Sequence, residues 1–192
     1  MNFPVFSSLT RVSGCIAAIF TAIFLLSSVA SAQVVFDGSA GTAAPPETLG
    51  SYPLIQFAPN FVLASDGPVP NNNVLAATVP LQAASGLVLF SGHLYRGVVY
   101  TIPAGTETFT ILLPPNTMAF SFYIGAKSAS TAIAMTKVGG DIATSGPVSI
   151  SGPNGARFFG FYTENGASLD RVTITSDGKT QLYIGEFGIG LQ

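Results

Sequence analysis

The residue types able to do chemistry are few in this chain, and one run gathers three of them. His93, Tyr95 and Arg96 lie in the strand-like stretch HLYRGVVYTI over residues 93–102. In an extended strand His93 and Tyr95 share a face, while Arg96 points to the other. On the concave sheet of a small jelly roll, such a set resembles the proton-moving tyrosine and carboxylate-holding arginine of a polysaccharide lyase. The plainer reading leaves His93 and Tyr95 facing the surface, hydrogen-bonded to neighbouring loops. With no acid, base and nucleophile converging elsewhere, the three are assigned as candidate ligand-binding residues, and no catalytic residue is assigned.

Glu186, in LYIGEFGIG, shares its parity with Leu182 and Ile184. Strict alternation would bury it, and an unpaired buried carboxylate costs several kcal/mol as an order of magnitude. Either Gly185 marks a bulge that turns it outward, or it pairs with a base such as Arg157 or Arg96; a structural role is expected. Asp37, Asp66, Asp141, Asp170 and Asp177 lie in or near loops, where two of them with backbone carbonyls could build a calcium site. No Asp-x-Asp spacing or EF-hand loop supports one, so solvated turn aspartates are the default and no cofactor or metal is assigned. The sequence lacks Gly-x-Ser-x-Gly, a P-loop and His-Glu-x-x-His, and a single histidine cannot make a His-rich metal site. Tyr52, Tyr100, Tyr123, Tyr162 and Tyr183 have flat rings suited to stacking on a sugar, but in a sandwich such rings more often cap the core with their hydroxyls at the rim.

The elements that must position these groups read as strands. Between residues 149 and 190, Asn154-Gly155, Asn165-Gly166 and Asp177-Gly178 supply the positive-φ residues that tight reversals require. The runs between them, RFFGFY, DRVTITS and TQLYIGEFGI, have strand length and strand composition, so the stretch reads as an antiparallel meander. Val172 and Ile174 face one way and Arg171, Thr173 and Thr175 the other, whereas 158–162 is apolar on both parities and reads as a central strand covered on both sides. GLVLFSG, HLYRGVVYTI, ETFTILLP and MAFSFYIGA form a second meander, turned at Pro103-Ala104-Gly105 and Pro114-Pro115-Asn116, and TAIAMTKV closes at Gly139-Gly140-Asp141. Upstream, 33–36 is a first strand, 52–57 a second, and FVLAS a short third. Helical periodicity is nearly absent after residue 32. Eight to ten strands without helices make an all-β, two-sheet antiparallel sandwich of jelly-roll type.

Residues 1–32 stand apart. A leader with Arg11 as its one charge precedes the apolar run CIAAIFTAIFLL, and Ala30 and Ala32 suit a signal-peptidase site before Gln33. The run is shorter than the roughly 20 residues that span a bilayer. The expectation is a signal-peptide helix over 1–32, one β-sandwich domain over 33–192, and a secreted, extracellular or periplasmic address with no membrane contact after cleavage. Cys15 falls in the leader and precedes most of its apolar core, which argues against lipidation and leaves the domain without a thiol. With Arg11 removed, six Lys and Arg face nine Asp and Glu, so no basic surface invites nucleic acid. Charged residues make up 8% of the chain, against roughly 25% in ordinary soluble proteins. Sparse charge leaves sheet edges poorly protected and makes self-association a candidate property.

The pieces TLGSYPLIQF, GHLYRGVVY, IPAGTETFTILLPPNTMAFSFYIG, GARFFGFYTENGASLDRVTITSDG and IGEFGIG resemble an uncharacterised family of secreted bacterial β-sandwich proteins. Similar modules occur in exoproteins with a PEP-CTERM sorting tail. The resemblance implies a jelly-roll-like fold and an extracellular address, and it brings no catalytic residues. The chain departs from that pattern in ending at GIGLQ without a Pro-Glu-Pro tail, and in containing no tryptophan, which a relative would carry just before the position of His93. Together these features predict a non-catalytic exported domain that binds a glycan or another surface component. The alternatives are a structural, self-associating extracellular protein and a small jelly-roll lyase.

Overall fold

The computed structural model describes residues 33–56, 64–65, 75–79, 81–84, 98–152 and 155–192. All regular structure among them is β. In chain order the strands are β1 (Val34–Asp37), β2 (Thr48–Leu49), β3 (Tyr52–Pro53), β4 (Ile55–Gln56), β5 (Ala64–Ser65), β6 (Ala76–Ala77), β7 (Gln82–Ala84) and β8 (Val99–Ile102). The remainder are β9 (Thr108–Ala126), β10 (Ser130–Val138), β11 (Asp141–Thr144), β12 (Val148–Ile150), β13 (Arg157–Thr163), β14 (Leu169–Ser176) and β15 (Leu182–Leu191). The leader, residues 1–32, lies outside the described residues, as do the segment containing His93, Tyr95 and Arg96, and Asn154.

Hydrogen bonding runs without a break through thirteen of these strands, and β2–β3 forms a separate two-stranded ribbon. The long ladder nevertheless makes two layers, because β9 belongs to both. Its first part pairs with β14 and β6 at Phe109, Ile111 and Leu112, and its second part pairs with β13 and β15 from Thr117 to Ala126. One layer therefore reads β1, β13, β9, β15, then β8 with β7 beyond it, β4 sharing the edge of β15. The other reads β11 and β12 along one edge of β10, then β14, β9, β6 and β5. Every pairing is antiparallel except the two-residue β5–β6 pair.

The layers face each other over one apolar cluster fed from both, with Phe120, Phe122, Phe159, Phe161 and Ile184 from the first and Phe109, Ile111, Ala134, Val172 and Ile174 from the second. Phenylalanine rings fill its centre. Phe122 stacks on Phe159 at 5.5 Å and 7°, and Phe120 on Phe187 at 6.1 Å and 13°. Offset ring pairs of this kind add about 0.5–1.5 kcal/mol beyond the area they bury.

The corner in β9 corrects one sequence expectation. Pro114-Pro115-Asn116 reads as a turn between two strands, yet ETFTILLP and MAFSFYIGA are one 19-residue strand bent at that point. Two prolines remove two ladder donors, Asn116 takes φ 62°, and the Thr117 hydroxyl donates to the Pro114 carbonyl at 2.7 Å. The ladder is interrupted there, so the strand changes layer without reversing. The meander over 149–190 is likewise corrected: β13 and β15 lie in one layer and β12 and β14 in the other, so the turns carry the chain across the sandwich. Gly166 (φ 71°) and Gly178 (φ 65°) do occupy the positive-φ positions expected of Asn165-Gly166 and Asp177-Gly178. Gly155 does not; its lack of a side chain is explained by Ser151, whose carbonyl oxygen a Cβ would meet at 2.8 Å. Gly139-Gly140 does close a hairpin, pairing Val138 with Asp141.

The apolar double parity of 158–162 has its cause in a third element. Phe159 and Phe161 enter the inter-layer core, while Phe158 and Tyr162 turn outward to a second cluster with Leu49, Val99, Ala119, Tyr123, Tyr52 and Leu54. Residues 38–54 thus wrap the outer face of the first layer, tied down by Phe158 N–H donating to the Gly41 carbonyl at 2.8 Å. Gly160 is where the wrap comes closest: a Cβ there would sit 2.9 Å from Leu49, 2.9 Å from Phe158 and 3.0 Å from the Asp37 carbonyl oxygen. Gly160→Val is expected to lose about 1–3 kcal/mol, read as a fall of roughly 2–12 °C in Tm. Gly140→Ala, with open space around it, should stay within about 0.5 kcal/mol; equal effects from the two would contradict the wrap.

Candidate functional site

The ends of four strands meet at one end of the first layer. Leu182, which opens β15, pairs with Ala126 at the end of β9 on one side and with Ile102 at the end of β8 on the other, and Thr101 of β8 pairs with Gln82 of β7. Beyond these ends lies a groove of about 470 Å³ lined by Gln82, Thr101, Pro103, Ala104, Lys127, Lys179, Thr180 and Gln181.

Backbone and hydroxyl hydrogen bonds hold the groove's rim. Lys127 N–H donates to the Gln181 carbonyl at 2.8 Å, the Ser128 hydroxyl bonds the Thr180 hydroxyl at 3.0 Å, and Gly105 N–H donates to the Gly178 carbonyl at 2.8 Å. The Thr101 hydroxyl donates to the Gln82 carbonyl at 3.1 Å. The lining therefore offers two ammonium groups, two carboxamides and two hydroxyls from a rigid frame, a set that can hydrogen-bond sugar hydroxyls and hold an anion. Among the described residues its lining has no carboxylate, imidazole or thiol.

None of the groove residues is singled out by the sequence. The available signal is that Lys127 and Lys179, two of the seven basic residues of the chain, each follow directly on a strand end or turn. Bringing them together takes the adjacency of β8, β9 and β15, which spacing does not encode. His93, Tyr95 and Arg96 fall outside the described residues, so their assignment as ligand-binding groups stays an expectation.

The five tyrosines named as stacking candidates are used inside the protein. Tyr100 and Tyr123 are buried, and Tyr52, Tyr162 and Tyr183 pack into the outer-face cluster under the wrap. The described aspartates serve turns and neighbours. Asp37 accepts from Ser39 N–H at 2.7 Å, Asp170 holds Arg171 at 3.0 Å, and Asp177 accepts from Lys179 N–H and the Ser130 hydroxyl at 3.2 and 3.0 Å. No three His, Cys, Asp or Glu gather into a metal-sized cluster among the described residues.

Glu186 sits on a bulge. The β15–β9 register slips between Gly185 and Gly188, Glu186 takes φ 55°, and Phe187 recovers the inward direction to join the inter-layer core. The slip turns Glu186 to the other face, as a bulge at Gly185 should, but the wrap covers that face and the residue stays 6% exposed. Arg157 pairs with the inward-facing Ile124 and so lies on the opposite side of the sheet. Beside Glu186, the Tyr123 hydroxyl donates to the Ala43 carbonyl of the wrap. Burial, and secondarily the Glu186 carboxylate, push the Tyr123 phenol well above its ordinary value near 10.

No protein-family model matches the chain, and no curated protein matches it in sequence. Among solved structures, a family 29 carbohydrate-binding module from Piromyces equi aligns over 73% of this chain and 87% of its own, with 8% identity and a TM-score of 0.38. A likeness at that level speaks to neither ligand nor site.

The raised Tyr123 pKa predicts an alkaline limit on stability. The unfolded chain releases this proton near pH 10 and the folded chain later, so the folded state binds more protons and loses stability as pH rises from 10. The free energy of unfolding should fall more steeply between pH 10 and 12 than in Tyr123→Phe, by up to about 1.4 kcal/mol per pH unit. Parallel curves from urea titrations of the two proteins would contradict the burial of the phenol.

Proposed function

We propose that the protein is an exported, non-catalytic β-sandwich that binds a glycan or another extracellular component in the groove at the ends of β7, β8, β9 and β15. The observation that carries this reading is the groove's lining: amide, hydroxyl and ammonium groups converge there, and among the described residues no carboxylate or imidazole joins them. Export is the expectation set by residues 1–32. A binding role also suits the rigidity of the site, because its side chains leave from strand ends and short turns, which are positioned more firmly than long loops.

Self-association is the second reading. It has its own observation in the β11 edge, where Ile142 is 59% exposed beside Met135 at 41% on the neighbouring strand. An edge strand that carries an exposed apolar side chain and no Lys or Pro has little to deter pairing with another copy.

Affinity electrophoresis of the purified protein through gels containing neutral or acidic polysaccharides tests the leading reading. At least one polymer should retard it, and Gln82→Ala/Gln181→Ala should weaken that retardation about tenfold, as two lost hydrogen bonds of about 0.7 kcal/mol each imply. Migration unaffected by every polymer, combined with mass growing with concentration in light scattering and reversed by Ile142→Lys, would replace binding with self-association.

A further inference from the structure

Resting on the groove as a glycan site, we infer that its ligand is a polyanionic sugar chain, one bearing carboxylate or sulfate groups. Three features of the lining lead there. The first is positive charge that is only loosely compensated. Lys127 and Lys179 both line the groove and, among the described residues, no carboxylate does; Asp177 reaches Lys179 only at 3.9 Å, and Lys179 remains 83% exposed. A second, smaller groove makes the contrast: it is lined by Lys137, Gly139, Asp170 and Arg171, and there Asp170 already holds Arg171 with contacts of 3.0 and 3.1 Å. There a carboxylate within the lining holds one of the two cations directly, whereas in the first groove the carboxylate contact comes from outside the lining, at 3.9 Å.

The second feature is that no aromatic ring lines the groove among the described residues. Neutral sugars are commonly gripped by stacking their C–H faces on flat rings, and the described tyrosines are packed into the cores of the sandwich and the wrap. Without a ring, affinity must come from hydrogen bonds and charge. Ammonium groups act as compact point charges with rotatable donors, suited to carboxylate and sulfate oxygens along a flexible chain.

The third feature is the setting. The chain carries a formal charge of −2 and seven basic residues in all, so its surface as a whole does not attract polyanions. A polyanion is therefore drawn to the groove rather than to the molecule at large. Gln82, Gln181, Thr101 and Thr180 are then placed to read the hydroxyls between successive charges.

Isothermal titration of the full-length protein with dextran sulfate against dextran, and with polygalacturonate against its methyl ester, separates charge from sugar and sulfate from carboxylate. At least one charged polymer should bind at least tenfold more tightly than its neutral partner. That affinity should drop on the order of tenfold between 50 and 500 mM salt. Lys127→Gln/Lys179→Gln, which alters exposed side chains and should leave Tm unchanged, should abolish both the preference and the salt dependence. Equal binding of neutral and charged polymers, insensitive to salt and to the double substitution, would overturn the inference and leave the glycan site standing. A charged polymer that binds equally well after the double substitution would also overturn it. Binding to none of these polymers, nor to any neutral polysaccharide on an array, would overturn the glycan site as well.

Discussion

Everything in the molecule is hung on one strand that cannot choose between two sheets. β9 gives its first residues to the layer of β14 and β6 and its last to the layer of β13 and β15. A strand shared in this way makes the two layers interdependent. Breaking its pairing in one removes an anchor from the other, and the core between them holds side chains from both halves, such as Ile111 and Phe122. The cost falls at Pro114-Pro115-Asn116, where ladder hydrogen bonds are forgone and Asn116 adopts a backbone conformation that most side chains avoid. Buried phenylalanines on either side of the corner outweigh that cost. A fully buried ring is worth roughly 1.5–3 kcal/mol against exposure.

The glycines of β15 follow from the same construction. Among the described residues the first layer has both faces covered, and the covering segment must lie close on its backbone. Gly190 lets Tyr52 approach, since a Cβ there would stand 2.9 Å from the tyrosine, and Gly188 lies between Ser121 and Gln56, both within 3 Å of where its Cβ would be. The bulge at Glu186 then settles a conflict. An undisturbed strand would drive a carboxylate into the phenylalanine core, whereas the one-residue slip sends Phe187 there instead and puts Glu186 beside Tyr123. The groove lies at the far end of this double-covered layer, its lysines carried by the turns that leave β9 and enter β15.

How much of this is legible without coordinates depends on the kind of signal. Period-two alternation marks Val172 and Ile174 as core residues, and Phe158, Phe159 and Phe161 as a strand covered twice, because burial is written into residue type. Gly166 and Gly178 fall at positive φ because only glycine meets that steric demand at no cost. Pairing is another matter. A turn residue specifies that the chain bends, not which strand lies beside it afterwards, so Asn165-Gly166 reads equally well as a hairpin or as a crossing between layers. Pro114-Pro115-Asn116 misleads for the same reason: the chemistry of a corner within a strand and of a turn between strands is alike. The groove is illegible because Lys127 and Lys179 become neighbours of Gln82 through strand adjacency alone.

The central claim is that both layers stand or fall with β9. Native-state amide hydrogen exchange tests it at residue resolution. The amides of Phe109 and Ile111 in one half, and of Phe120, Phe122 and Ile124 in the other, should exchange only through a single global opening, with the same free energy and the same denaturant dependence. If the Phe109 and Ile111 amides exchanged through a separate, lower-energy opening while those from Phe120 to Ile124 remained protected, the layers would be independent units and the shared strand would not be what holds them together.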